Sequence, residues 1–398
     1  AFSAAGARRA AHDKDSFPTR RHHLDTSERH FQSDLAEIAA EKYKAGTLSR
    51  RGFLTAMGAL GLVPLLGNRA IAQASEVVVC NWGGQASDIL RDLLGKAFEE
   101  ETGIPVRVDG AGPSAGKVRA MVESGAVVWD VCDSGAGSAI VMNGAGVIQN
   151  IDYSIVDKSK VLDGTALPFA VGNYVFSYAM AHNPTMLPDG GPQTWADVWN
   201  VEDFPGMRTF RKSVRGQLEA AAQAMGVPKE DVYEFLDDEG IKAAIAKFRE
   251  LRDNIIVWGS GSDSQNLFLQ GEVAMGNIYS TRGFLLKDQM EPGTFKITYD
   301  GALLQPGMWV VPKDNPAGTK TAMNFIATVQ DPQLQADWFV AIGNGPINPA
   351  AAALIPAELS EWNPNTPENV AKQVIYNDEW YGKNQVSAEE LYIDALIG

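Results

Sequence analysis

The sequence is poor in the residues that most enzyme chemistry needs. It holds five histidines, and His12, His22, His23 and His30 all lie near its start, leaving His182 alone in the remainder. A Ser–His–Asp hydrolase would have to be built on His182, and a zinc site made of several histidines is excluded. His182 lies in Ala181-His182-Asn183-Pro184, directly after an apolar run, and reads as a loop histidine. There are two cysteines, Cys80 and Cys132, each at the end of a strand-length apolar run. An even count allows one Cys80–Cys132 disulfide in an oxidising compartment, although neighbouring parallel strands offer poor geometry for it. Basic charge is scarce as well. The formal net charge is −15, and residues 1–74 hold 11 Lys+Arg against 7 Asp+Glu, which leaves 23 basic and 42 acidic residues beyond them, a net of −19. Such a surface repels phosphate backbones, so a nucleic-acid partner is excluded.

What is present starts with an address. Ser49-Arg50-Arg51-Gly52-Phe53-Leu54 opens a weakly apolar run, Phe53–Leu66, broken by Gly58, Gly61 and Pro64. That run is too short for a membrane helix, which takes about 20 apolar residues. A twin arginine before such a run resembles the twin-arginine (Tat) export signal, and Ala70-Ile71-Ala72 and Ala72-Gln73-Ala74 match an A-x-A cleavage site. Residues 1–74 are therefore read as an N-terminal extension and Tat signal peptide, and the expected location is the periplasm.

Beyond Glu76, apolar runs of strand length alternate with segments of helical periodicity. Glu76–Cys80 and Val127–Cys132 read as strands, and Ser87–Thr102 carries a helical stripe of Ile89, Leu90, Leu93, Leu94, Ala97 and Phe98. Residues 169–182 read as one long strand, Val273–Tyr279 and Met308–Val311 as later ones. Helices are expected at Gly216–Met225, Ile241–Asp253, Thr319–Val329 and Gln333–Ile342. Alternation of this kind predicts an α/β fold with a largely parallel sheet. Two glycine loops, Asn81-Trp82-Gly83-Gly84-Gln85 and Asp133-Ser134-Gly135-Ala136-Gly137-Ser138, follow strands and enter helices. Backbone there can approach a ligand, and helix N-termini favour negative charge.

The order of several phrases carries more. Asn81-Trp82, Phe98-Glu99-Glu100-Glu101-Thr102-Gly103-Ile104, Trp129-Asp130-Val131, Thr194-Trp195-Ala196-Asp197-Val198-Trp199, Gln270-Gly271-Glu272-Val273 and Asn348 recur in sequence from about residue 76 to 382. In that order they resemble the polyamine-type periplasmic binding proteins, of the family 1 extracellular solute-binding proteins. The resemblance implies a type II two-lobed fold: two α/β domains joined by crossing strands, with a ligand cleft between. Its divisions would be 75–175 plus 308–345 for lobe 1, 176–307 for lobe 2, and 346–398 packing across both. It also implies a solute-binding component of an ABC importer, a monomer without enzymatic activity, cofactor or metal, partnered by a small-molecule ligand, an inner-membrane ABC permease and, during export, the Tat translocon. A ligand sensor in the periplasm is the lesser alternative.

The charges depart from the polyamine pattern. Where the resemblance places acids, the sequence has Ser213 and Gly216 flanked by Arg211 and Arg215, and Ser280-Thr281-Arg282 after the Gly-Glu-Val strand. An arginine presents a planar fork to a carboxylate and repels a dication. The expected ligand therefore carries an anionic group, as a 4-carbon ω-amino acid does, with polyamine binding as the alternative. Ligand contacts are expected from Trp82, Gly83, Ser134, Arg211, Arg215, Asp263, Tyr279, Arg282, Trp309 and Asn348. Trp82, Tyr279 and Trp309 would form an aromatic wall, and Asp133 or Asp263 would receive an amine.

Overall fold

The computed structural model describes residues 76–397, so the twin-arginine segment and its cleavage sites lie outside the described residues. Eleven strands form one mixed sheet. In chain order they are β1 (Val77–Cys80), β2 (Val106–Asp109), β3 (Val131–Gly135), β4 (Ala166–Leu167), β5 (Ala170–His182), β6 (Arg208–Arg211), β7 (Ile255–Trp258), β8 (Met275–Tyr279), β9 (Lys296–Val310), β10 (Gly345–Pro346) and β11 (Val374–Ile375). The main path runs β2-β1-β3-β9-β5-β8-β6-β7. β1, β2 and β3 are mutually parallel at one end, and β6, β7 and β8 at the other. Between them β5 and β9 run antiparallel to their neighbours on this path and to each other, while short β11 joins β9 in parallel. The result is the two-lobed α/β architecture, with β5 and β9 crossing from one parallel group to the other.

Local sequence explains the elements. β5 is buried along nearly its whole length because it is covered on both faces, and its residues form an almost continuous apolar run. The helix Ala115–Ser124 starts on Ser114, whose hydroxyl accepts from the Lys117 N–H, and ends on left-handed Gly125. β9 is longer than the strand read at Met308–Val311. It contains Pro306 and Gly307, and the β5–β9 register shifts between Gly172 and Val175, next to the Pro306 pairing, so the missing N–H falls at an irregularity. One core cluster, with Val77, Phe98, Trp309, Phe325 and Trp338, lies against the first parallel group, while Phe210, Phe248 and Tyr392 belong to a cluster that also takes in the second.

One expectation is corrected here. Cys80 and Cys132 face each other directly across the parallel β1–β3 ladder, and both are buried free thiols. Directly paired residues of neighbouring parallel strands offer poor geometry for a disulfide. Burial first, and then the neighbouring Cys132 thiol, push the Cys80 thiol up.

Candidate ligand cleft

The carboxyl ends of β1 and β3 deliver the two glycine loops to the region that the ends of β6 and β8 reach from the other side. In open α/β sheets this is where ligands sit. The floor comes from β5. Tyr174, Phe176 and Tyr178 alternate along it and so share one face. Their rings touch in sequence, 6.0 Å from Tyr174 to Phe176 and 5.9 Å from Phe176 to Tyr178. Tyr279, where β8 ends, closes on both Phe176 (5.6 Å) and Tyr178 (5.0 Å).

At the Tyr174 end stands Asp133, almost wholly buried. Its carboxylate accepts from Asn81 Nδ2 (2.9 Å), Asn173 Nδ2 (2.9 Å) and Tyr174 OH (3.2 Å). Burial pushes the Asp133 carboxyl up to about 7, against the donors Asn173, Tyr174, Trp82 and Asn81, which pull it down. Every one of those donors is neutral, so none offsets the carboxylate's charge. The loop above is stiff. Gly83 donates to Ser87 Oγ, which donates to Asn81 Oδ1, and Gly83 has φ +85° with its Cβ position 2.8 Å from the Gly110 carbonyl oxygen. Trp82 keeps 47% of its surface exposed over this end.

At the Tyr178 end stand arginines. The Arg211 guanidinium lies 5.6 Å from the Tyr178 and Tyr279 rings and 5.9 Å from Trp258, and donates to Tyr178 OH. Arg282 is pulled down by burial, with the phenols of Tyr279 and Tyr174 opposing. Arg215 reaches the opposite glycine loop: a Cβ on Gly137 would lie 2.9 Å from its Nη2 and 3.1 Å from Tyr376 OH. A side chain there would have to displace the Arg215 guanidinium. The helix Ala136–Gly144 begins there with no side-chain cap. Arg215 Nε, Gln305 Oε1, Tyr376 OH and Asp378 Oδ1 are all buried without a hydrogen-bond partner. None of the three arginines lies within ion-pair distance of a described carboxylate; the ion pairs formed by described residues lie elsewhere.

The structure thus brings together Trp82, Gly83, Ser134, Arg211, Arg215, Tyr279 and Arg282; Ser134 is buried beside Asp133 with its hydroxyl on the Gly135 carbonyl. Three expected residues are corrected. Trp309 is 1% exposed and stacks on Trp338 within the core, because its position in β9 turns it inward. Asn348 is fully engaged in its own loop, accepting from Ala350 N, donating to the Gln330 carbonyl and held through its own N–H by Gln335. Asp263 closes a capping box with Ser260, its carboxylate accepting from the Ser260 N–H at 2.8 Å. Sequence reasoning missed Tyr174, Phe176 and Tyr178, although the aromatic alternation inside 169–182 was a readable signal. Trp82→Ala is expected to weaken ligand binding with little change in stability, whereas Trp309→Ala should cost about 3–5 kcal/mol of stability; paired denaturant melts and titrations check the contrast.

Among the described residues no group of three or more His, Cys, Asp or Glu side chains could hold a metal, and no helix is long and apolar enough to cross a membrane. His182 bonds the Gly190 carbonyl at the end of β5.

The chain is similar to known proteins in sequence and fold. The family described as Bacterial extracellular solute-binding protein matches residues 94–368. The gamma-aminobutyric acid-binding protein of Pseudomonas aeruginosa is 33% identical over 303 residues, 76% of this chain and 85% of that protein. The binding protein MotA from A. tumefaciens B6, solved in complex with glucopine, superposes with a TM-score of 0.74 at 30% identity, over 81% of this chain and all of that one (100%). The solved structure of a GABA receptor gives 0.73 at 28% identity, over 81% of this chain and 97% of that one.

Proposed function

The chain belongs to the bacterial extracellular solute-binding proteins, and on that premise we propose that its cleft captures a small zwitterionic amino acid, a 4-carbon ω-amino acid above all. The general role is that of the solute-binding component of an ABC importer, a family of binders rather than enzymes. One arrangement carries the choice of ligand: buried Asp133 stands at the Tyr174 end of the aromatic floor with neutral hydrogen-bond donors, and Arg211 stands at the Tyr178 end with no described carboxylate within ion-pair distance. An ammonium at Asp133 and a carboxylate at Arg211, Arg215 or Arg282 neutralise both ends, while Phe176, Tyr279 and Trp82 cover the methylenes between. The names of the Pseudomonas relative and of the GABA receptor agree with that chemistry. A polyamine offers cations at both ends and would leave one facing the arginines.

The proposal extends to the rest of the molecule. Residues 75–175 with 308–345 and residues 176–307 form the two lobes, and 346–398 packs across them. The protein works as a monomer in the periplasm, delivered by the Tat translocon and read by the ABC permease when the lobes close. Native mass spectrometry of the purified protein should find a retained ligand with the mass of a small amino acid; a retained spermidine or putrescine would overturn the reading.

A further inference from the structure

The last helix, Asp378–Ile397, lies far in sequence from the cleft residues named above, yet its side chains end on the loop that carries two of them. That loop joins β6 to the helix Gln217–Ala224, and it holds Arg211 at one end and Arg215 near the other. Trp258 and Gln217 hold part of it, the Lys212 N–H donating to the Trp258 carbonyl and Gln217 bonding the Val214 and Arg215 carbonyls, and the C-terminal helix supplies five further hydrogen bonds. The Arg211 carbonyl accepts from Tyr392 OH (2.9 Å). Ser213 Oγ (3.1 Å) and the Val214 N–H (3.0 Å) both donate to Glu389. Arg215 Nη2 donates to Gln385 Oε1 (2.9 Å), and the Gly216 N–H to Tyr381 OH (3.2 Å). Tyr381 OH in turn donates to buried Glu219 at 2.7 Å.

The four partners, Tyr381, Gln385, Glu389 and Tyr392, recur at helical spacing and so form one stripe. The other side of the same helix meets solvent at Val386, which is 76% exposed. Gly216, the N-cap of Gln217–Ala224, has no side chain to cap that helix, and its own N–H is held by Tyr381 OH from 165 residues away, beside Glu219 of the first turn. The same C-terminal helix packs on Asp238–Glu250 and touches Ala136–Gly144, which starts at the opposite glycine loop. Without it, the Arg211–Gly216 segment would keep its bonds to Trp258, Tyr178 and Gln217 and lose those that fix Ser213, Val214, the Arg215 guanidinium and the Gly216 N–H. Ligand affinity depends on such preorganisation, since a loop ordered before binding costs nothing to order during it.

We propose that the C-terminal helix is a positioning element of the ligand site, in which Glu389 and Gln385 hold the loop bearing Arg211 and Arg215 without touching ligand. This rests on the reading of the arginines as the anion-binding end. Two measurements separate the claims. In ligand-free protein, hydrogen exchange over residues 211–217 should quicken about tenfold in Glu389→Ala, which loses two hydrogen bonds to a charged acceptor. In calorimetric titration with 4-aminobutyrate, Glu389→Ala should bind about tenfold more weakly, while Glu389→Gln, which keeps an acceptor for the Val214 N–H, stays within about threefold of the unaltered protein. Gln385→Ala touches only Arg215 and should weaken binding several-fold with Val214 exchange unchanged, which carries the test if Glu389→Ala fails to fold. Exchange over 211–217 unaltered in Glu389→Ala would overturn the proposal, as would equal loss of affinity in the Ala and Gln variants. Faster exchange in a protein that ignores 4-aminobutyrate would uphold the positioning and reject the ligand.

Discussion

Asp133→Asn is expected to weaken capture of 4-aminobutyrate roughly a hundredfold, about 3 kcal/mol, because it removes one partner of a buried, hydrogen-bonded charge pair. The substitution keeps the shape of the side chain and removes only its charge. Its signature is in the pH dependence. Burial holds the Asp133 carboxyl at about 7 in the free protein, so near pH 6 it is mostly protonated and must release that proton to pair with an ammonium. Affinity should therefore rise about tenfold per pH unit on approaching 7 from below and level off above it. Calorimetry at pH 6 in buffers of different ionisation enthalpy should register close to one proton released, and none in Asp133→Asn. Stability runs the other way. A carboxyl raised from 3.8 to about 7 binds more protons folded than unfolded, so its contribution is fully present below 3.8 and is lost as pH rises through about 7. Asp130, Glu219 and Asp378 are also pushed up by burial, so Asp133→Asn should flatten the affinity slope and only part of the stability slope.

Arg211→Met should have a comparable effect, a loss of about 2–4 kcal/mol in affinity for carboxylate-bearing ligands. Methionine retains much of the apolar stem beside Tyr178, Tyr279 and Trp258 but supplies no charge and no donor for Tyr178 OH. The discriminating measurement is a pair of titrations, with 4-aminobutyrate and with putrescine. Against the carboxylate the variant should fail, and against the diamine it should bind no worse than the unaltered protein, because a repelling cation has gone. Equal losses for both would place Arg211 in a purely structural role.

Much of this was legible in the residues. The strand–loop–helix rhythm around Val77–Cys80 and Ala170–His182 and the two glycine loops follow from local patterns that tertiary packing does not override. The arginines at 211, 215 and 282 stood out because charge is a composition-level departure, visible without coordinates. Orientation was harder. Trp309 and Trp82 both sit beside loops at strand ends, and periodicity alone does not say which ring faces the core, since β9 is covered on both sides. Ser260-x-x-Asp263 is itself a capping-box spacing, a local signal that accounts for the Asp263 carboxylate without any ligand. Asn348 is a related case, since an Asn before a Pro commonly holds its own turn. The C-terminal helix was unreadable as a helix because Gly382 and a broken apolar stripe weaken its pattern. It is fixed by contacts with segments about 170 residues upstream, such as Gln385 with Arg215, and no local window contains those.

The central claim is that the cleft recognises one cation and one anion on the same small molecule. Calorimetric titration of the purified, ligand-stripped protein with 4-aminobutyrate and, in parallel, with spermidine tests this most directly. The account predicts tight, enthalpically clear binding of 4-aminobutyrate and little or none of spermidine. Submicromolar binding of spermidine with no heat from 4-aminobutyrate or other amino acids would contradict it.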